Sequence, residues 1–189
     1  MTTGEPADFG AEPIALIGMR GVGKTSLGRA LARELACGFV DLDEAIAWSD
    51  SEGCCAEHVS DVAHVIERLG WDGFREREAQ ELRRVLAAGG RLVLATGGGV
   101  VERADNREHL SRCARCVWLR QDLDVVRARL RAAPNARPSL TGAAPEVELD
   151  ELWRRREPWY REIASVTLDA GDASPAQLAK LLATRLAAD

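Results

Sequence analysis

The chain has 189 residues, with 25 basic and 30 acidic side chains, a formal net charge of -5 and 46% hydrophobic residues. This length suits one domain that buries about 70% of its unfolded surface, and ordinary hydrophobicity with a small net charge excludes a disordered chain. An acidic chain also lacks the basic footprint needed to bind along a nucleic-acid backbone. Only Lys24 and Lys180 are lysines and every other basic residue is arginine. A compositional bias explains the excess, so the positions carry the information.

In chain order, residues 1–13 have no basic n-region and no apolar stretch. They read as a disordered tail, neither signal peptide nor membrane anchor, and no segment approaches the ~20 apolar residues of a spanning helix. Five apolar runs follow, at 14–17, 39–42, 91–95, 116–119 and 166–168. They alternate with helical spacing at 26–36, 71–88, 123–131 and 178–187. Ser174-Pro175-Ala176-Gln177 carries a helix-start signature. Short strands alternating with helices predict an α/β fold with a five-stranded parallel sheet covered on both faces. Two stretches interrupt the alternation, 47–60 and the Pro/Gly/Ala-rich 132–147, and each reads as a lid or an insertion. The five cysteines are an odd number without an export signal, which predicts a reduced, cytoplasmic protein. The Cys113/Cys116 pair reads as structural, since a closed zinc site needs four ligands, and Cys54-Cys55 with His58 falls short by the same count.

Gly18-Met19-Arg20-Gly21-Val22-Gly23-Lys24-Thr25 fits G-x-x-x-x-G-K-[ST] between a strand and a helix. Glycines let backbone N–H groups turn onto phosphate oxygens, and the helix N-terminus adds positive charge. Gly21, Val22, Gly23, Lys24, Thr25 and Ser26 are the expected nucleotide contacts. Lys24 would reach the β/γ-phosphates, and the Thr25 hydroxyl would be a Mg2+ ligand. One of only two lysines thus sits where a nucleotide-binding loop requires it.

Three further groups bear on the acceptor. Asp41 and Asp43 flank the end of the second strand, and i, i+2 spacing puts both carboxylates on one face. A solvated turn is the other reading. Phe74-Arg75-Glu76-Arg77-Glu78 places Arg75 and Glu78 on one helical face, as a positioned guanidinium or an ordinary surface ion pair. Gly97-Gly98-Gly99 after a strand permits close backbone approach to a ligand, or forms a plain loop.

Taken in order, these motifs with Arg137-Pro138-Ser139-Leu140 and Arg156-Glu157-Pro158-Trp159-Tyr160 resemble the shikimate kinases, and most of all the type II enzymes. The resemblance runs from about Ile14 to the C-terminal helix. It implies the P-loop NTPase fold of the nucleoside monophosphate kinase type, one kinase domain over 14–189, a substrate-binding lobe near 44–80 and a lid near 132–147. It implies transfer of the ATP γ-phosphoryl to the 3-hydroxyl of shikimate with Mg2+, on the chorismate route to aromatic amino acids, by a cytoplasmic monomer. Asp43 would bind the attacking hydroxyl. Arg75 and Arg156, with backbone at Gly98, would grip the carboxylate, flanked by Phe74, Glu78, Gly97 and Gly99. Asp41 would lie near the metal, Arg137 would reach the phosphates from the lid, and Arg129, or else Arg131, would stack on adenine.

The chain departs from the family pattern in a longer 47–60 segment, in a shorter lid, and in Trp159 before Tyr160. A gluconate-type kinase of the same fold would not require Arg75, Arg156 and Asp43 together. A non-catalytic regulator is expected to carry a DNA-binding module, for which the stretch before the first strand is too short.

Overall fold

The structure, a computed structural model, describes residues 12–51, 62–132 and 145–188. Its centre is a parallel sheet of β1 (Ile14–Ile17), β2 (Gly38–Asp41), β3 (Leu92–Ala95), β4 (Arg115–Arg120) and β5 (Val166–Asp169), in the order β2-β3-β1-β4-β5. β1 and β3 are buried at every position, and both read as unbroken apolar runs, as inner strands covered on two faces must. Because all five strands run the same way, the loops after β1, β2 and β3 open on one edge, where such sheets bind ligands. Register aligns them closely, with Leu16 and Asp41 both pairing with Ala95.

The helices are α1 (Lys24–Glu34), α2 (Leu42–Ser51), α3 (Val62–Ala87), α4 (Ala104–Cys113), α5 (Leu123–Ala132), α6 (Pro145–Ile163) and α7 (Pro175–Ala188). A short 3-10 turn, Val100–Glu102, follows β3. α1 packs on α7, while α4 packs on α6 and β4. The start of α7 is the expected capping box, with Gln177 N–H donating to Ser174 Oγ (3.3 Å) and Ser174 N–H to Gln177 Oε1 (2.9 Å).

Three elements differ from the expectation. The strand expected at 39–42 ends at Asp41, and Asp43 stands in the first turn of α2. Asp41 Oδ1 accepts from the N–H groups of Asp43 (3.0 Å) and Glu44 (3.5 Å), so it caps α2 and stops the strand. The first part of the 47–60 stretch is helical, as the end of α2. The helix expected to begin at Trp71 is the second half of α3, which Gly70 (φ 69°, ψ 174°) divides, a conformation open to glycine. Residues 1–11, expected as a tail, residues 52–61 with Cys54, Cys55 and His58, and residues 133–144 with Arg137, in the stretch expected as a lid, lie outside the described residues. Cys116 is buried in β4, which pushes its thiol up to about 12, and no metal-binding cluster occurs among the described residues. Thiols with pKa raised in this way are inert.

Candidate active site

The loop after β1 takes left-handed backbone at Gly18 (φ 137°), Gly21 (φ 78°) and Gly23 (φ 106°), and Gly23 caps α1. A side chain at Gly18 would overlap the Leu119 carbonyl. The loop is thus wound into a cradle at a helix N-terminus, the geometry that binds phosphate. Lys24 is buried, and its Nζ donates to the carbonyls of Gly18 (2.8 Å) and Met19 (2.7 Å), arching back over the loop. Thr25 Oγ1 donates to Asp41 Oδ2 at 2.6 Å. One carboxylate therefore caps α2 with one oxygen and holds the phosphate-loop threonine with the other.

Arg129 stands beside this cradle, its guanidinium donating to the carbonyls of Gly21 (3.1 Å) and Val22 (3.3 Å). Val126 and Leu130, from the same helix, pack against Gly21. Arg131 is exposed near the end of α5, two residues beyond Arg129.

The glycine run after β3 joins the cradle to the acceptor candidates. Its start is latched to β1, since Thr96 N–H and Oγ1 both donate to the Leu16 carbonyl (3.2 and 2.9 Å). A Cβ on Gly97 would sit 2.5 Å from Glu78 Oε1 and 3.2 Å from Asp43 Oδ1. On Gly98 it would meet the Arg20 nitrogen at 2.9 Å, and on Gly99 it would overlap the Arg75 guanidinium. Each glycine touches a different part of the site, so none can carry a side chain without displacing one of them. Tyr160, fully buried, donates its hydroxyl to the Gly98 carbonyl and fixes α6 against this loop.

Arg75 pairs with Glu78 (2.8 Å) and Glu102 (3.3 Å), and its guanidinium lies 5.4 Å from the ring centres of both Trp71 and Phe74. Arg156, only 3% exposed, places its guanidinium on Glu102, with Nε 2.9 Å and a terminal nitrogen 2.8 Å from Oε1. Arg155 also reaches Glu102. Burial pushes the Glu102 carboxyl up, but Arg156 and Arg75 together with the hydrogen bonds from Arg155 and Arg156 outweigh it and hold the group below the ordinary carboxylate value. Trp159 lies under Arg107, 5.1 Å from ring centre to guanidinium carbon.

Lys24, Thr25, Asp41, Asp43, Arg75, Glu78, Gly97–Gly99 and Arg129 thus gather at one edge of the sheet, with Arg156 tied to Arg75 through Glu102, while Phe74 is a fully buried core residue against Arg75. Two participants carried no motif in the sequence. Glu102 is one, and Glu148 is the other, buried in α6 and paired with Arg20 of the phosphate loop at 3.0 Å. Each meets an arginine that is distant in sequence, Glu102 with Arg75 and Arg156 and Glu148 with Arg20, so the fold makes these pairings.

A wound phosphate loop beside a carboxylate and an arginine-lined recess defines a P-loop phosphotransferase with a small-molecule acceptor. The shikimate kinase family profile matches residues 20–187. A shikimate kinase 2 from Escherichia fergusonii is 39% identical over 84% of this chain and 83% of its own length. The solved shikimate kinase from Acinetobacter baumannii, in complex with shikimate, superposes with a TM-score of 0.82 at 33% identity over 94% of both chains. The chain belongs to the shikimate kinase family and is an ATP-dependent kinase. A gluconokinase from Sinorhizobium meliloti resembles it in fold alone, at 18% identity and a TM-score of 0.56.

Proposed function

We propose that this cleft transfers the γ-phosphoryl of ATP to the 3-hydroxyl of shikimate, with the residue roles that follow. The observation carrying the reading is the packing of Asp43 and Glu78 on Gly97, of the phosphate loop on Gly98 and of Arg75 on Gly99, which sets acceptor and phosphate groups side by side. The shikimate-bound relative supports the choice of acceptor.

Phosphoryl transfer passes through a loose transition state, so positioning and charge neutralisation supply most of the rate. Lys24 swings from its loop carbonyls to the β/γ-phosphates. Thr25 and Asp41 offer hard oxygen donors 2.6 Å apart at the cradle mouth, a donor type that suits Mg2+. Held there, Mg2+ would supply positive charge to offset that of the phosphates. Asp43 orients the acceptor hydroxyl. The hydroxyl oxygen bonds to the γ-phosphorus, the bond to the β–γ bridging oxygen breaks, ADP leaves, and the hydroxyl proton passes late to the Asp43 carboxylate. An ordinary aspartate, with pKa ~3.9, is too weak a base for early abstraction. Arg75 and Arg156 hold the substrate carboxylate by charge-assisted bonds, with Gly98 backbone alongside. Arg137 closes from the lid onto the phosphates, excluding water as a rival acceptor. Arg129, beside the cradle, flanks the adenine. The enzyme works as a monomer in the reducing cytoplasm; no helix among the described residues is long and apolar enough to cross a membrane.

Asp43→Asn tests the assignment. Turnover is expected to fall by about 10²–10⁴-fold, the usual size of general-base help, with shikimate still bound. Near-normal turnover would remove Asp43 from this role.

A further inference from the structure

Glu102 lies where the proposed function puts the substrate carboxylate. The glycine loop runs straight into the 3-10 turn that carries it, with Val100 N–H donating to the Gly97 carbonyl (3.2 Å) and Glu102 N–H to that of Gly99 (3.0 Å). This turn aims the side chain back at Arg75 (3.3 Å) and Arg156 (2.8 Å), and only 17% of that side chain is exposed. Both arginines assigned to the acceptor's carboxylate thus already share a carboxylate from the chain. With Glu78 also on Arg75 and Arg155 also on Glu102, three arginines face two glutamates.

We propose that Glu102 is an internal rival for the acceptor's carboxylate and sets how strongly the enzyme requires that group. The inference rests on the reading that Arg75 and Arg156 grip the carboxylate. A substrate carboxylate must draw the arginines away from Glu102, or bind beside it against like charge. Either way the fork is free for only part of the time, and apparent affinity falls by that fraction. A neutral analogue meets a different situation. It leaves Arg156 on Glu102, so no buried cation is stranded. The site then forgoes part of the ~10⁴–10⁵ discrimination available to sites whose polar groups are left unpaired by the wrong ligand. Glu102 is therefore a specificity-determining residue that does not touch the transferred phosphoryl.

The test is steady-state kinetics on wild type, Glu102→Gln and Glu102→Ala, with shikimate and with its neutral analogue bearing hydroxymethyl for carboxylate. Both variants are expected to lower the shikimate KM by about 3–10-fold, the inverse of the free fraction, with little change in kcat. The kcat/KM preference for shikimate over the analogue is expected to rise by about the same factor. An unchanged or raised shikimate KM overturns the inference, since a merely structural glutamate would act in that direction. The wild-type preference needs no variant: a value below about 10⁴ is expected, and one at or above it contradicts the proposal. Arg156→Lys separates the two claims. If it raises the shikimate KM and spares the analogue's while the Glu102 variants do nothing, the carboxylate grip stands and the rivalry fails. If it leaves the shikimate KM alone, the grip itself fails.

Discussion

At the scale of single residues the site is economical, because several atoms serve two purposes. Asp41 stops β2, caps α2 and holds Thr25, all with one carboxylate. Gly99 has ordinary backbone angles (φ -100°), so it is glycine for reasons of space: a methyl there would overlap the Arg75 guanidinium. Gly99→Ala is therefore expected to push Arg75 out of line while leaving the phosphate loop alone. Misplacement by about 1 Å costs roughly 10²-fold, so kcat/KM for shikimate should drop by about that factor with the ATP KM nearly unchanged. Unaltered shikimate kinetics would show that Arg75 does not need its present place.

At the scale of elements, what the sequence revealed depended on how each element is buried. Inner strands such as Ile14–Ile17 and Leu92–Ala95 are covered on both faces, so they stand out as apolar runs. The phosphate loop was legible because its backbone demands particular residues, left-handed glycines among them. α6 left no such trace, since it is rich in arginine and glutamate, contains Pro158 and adjoins the lid stretch. α4 is likewise a mainly polar helix. The i, i+2 spacing of Asp41 and Asp43 predicts one strand face, yet a helix cap brings the two acids together. Glu102 was invisible because its arginines come from α3 and α6, and only the fold assembles them. α6 itself is held by Tyr160, the sole tyrosine of the chain, which stacks on Trp118 (6.0 Å) and donates to the Gly98 carbonyl. Burial raises its pKa above the ordinary 10.0, an effect that Arg156 reduces and Glu102 augments. A group that keeps its proton more tightly when folded contributes stability below the unfolded value, and that contribution is lost as pH rises past it. Above pH 10.0 the phenolate absorbance is expected to emerge together with loss of helical circular dichroism, in one steep transition. A gradual titration centred near 10.0 with the dichroism intact would mean that Tyr160 is not locked under α6.

At the scale of the whole molecule, a net charge of -5 sits oddly with ligands that are all anions. The resolution is spatial. Many arginines lie in exposed pairs along helices, such as Arg112–Glu108 and Arg161–Glu157, each worth about 0–1 kcal/mol. The cations to which the proposed function gives ligand contacts are instead gathered at one edge of the sheet. Lys24 is in the phosphate loop, Arg129 is beside it, and Arg75 and Arg156 are in the recess around the glycine run. A chain of net negative charge can still capture a small anion, because the local potential beside these cations, not net charge, governs capture. Phosphate loop and acceptor recess meet across three glycines, so nucleotide cleavage should depend on the right acceptor filling its half. ADP release by the purified protein with ATP and Mg2+ measures this directly, comparing shikimate, gluconate and no acceptor. Rapid release with shikimate alone, and only background in the other two, is the expected result. Equal release in all three, or faster release with gluconate, would contradict a shikimate-phosphorylating cleft.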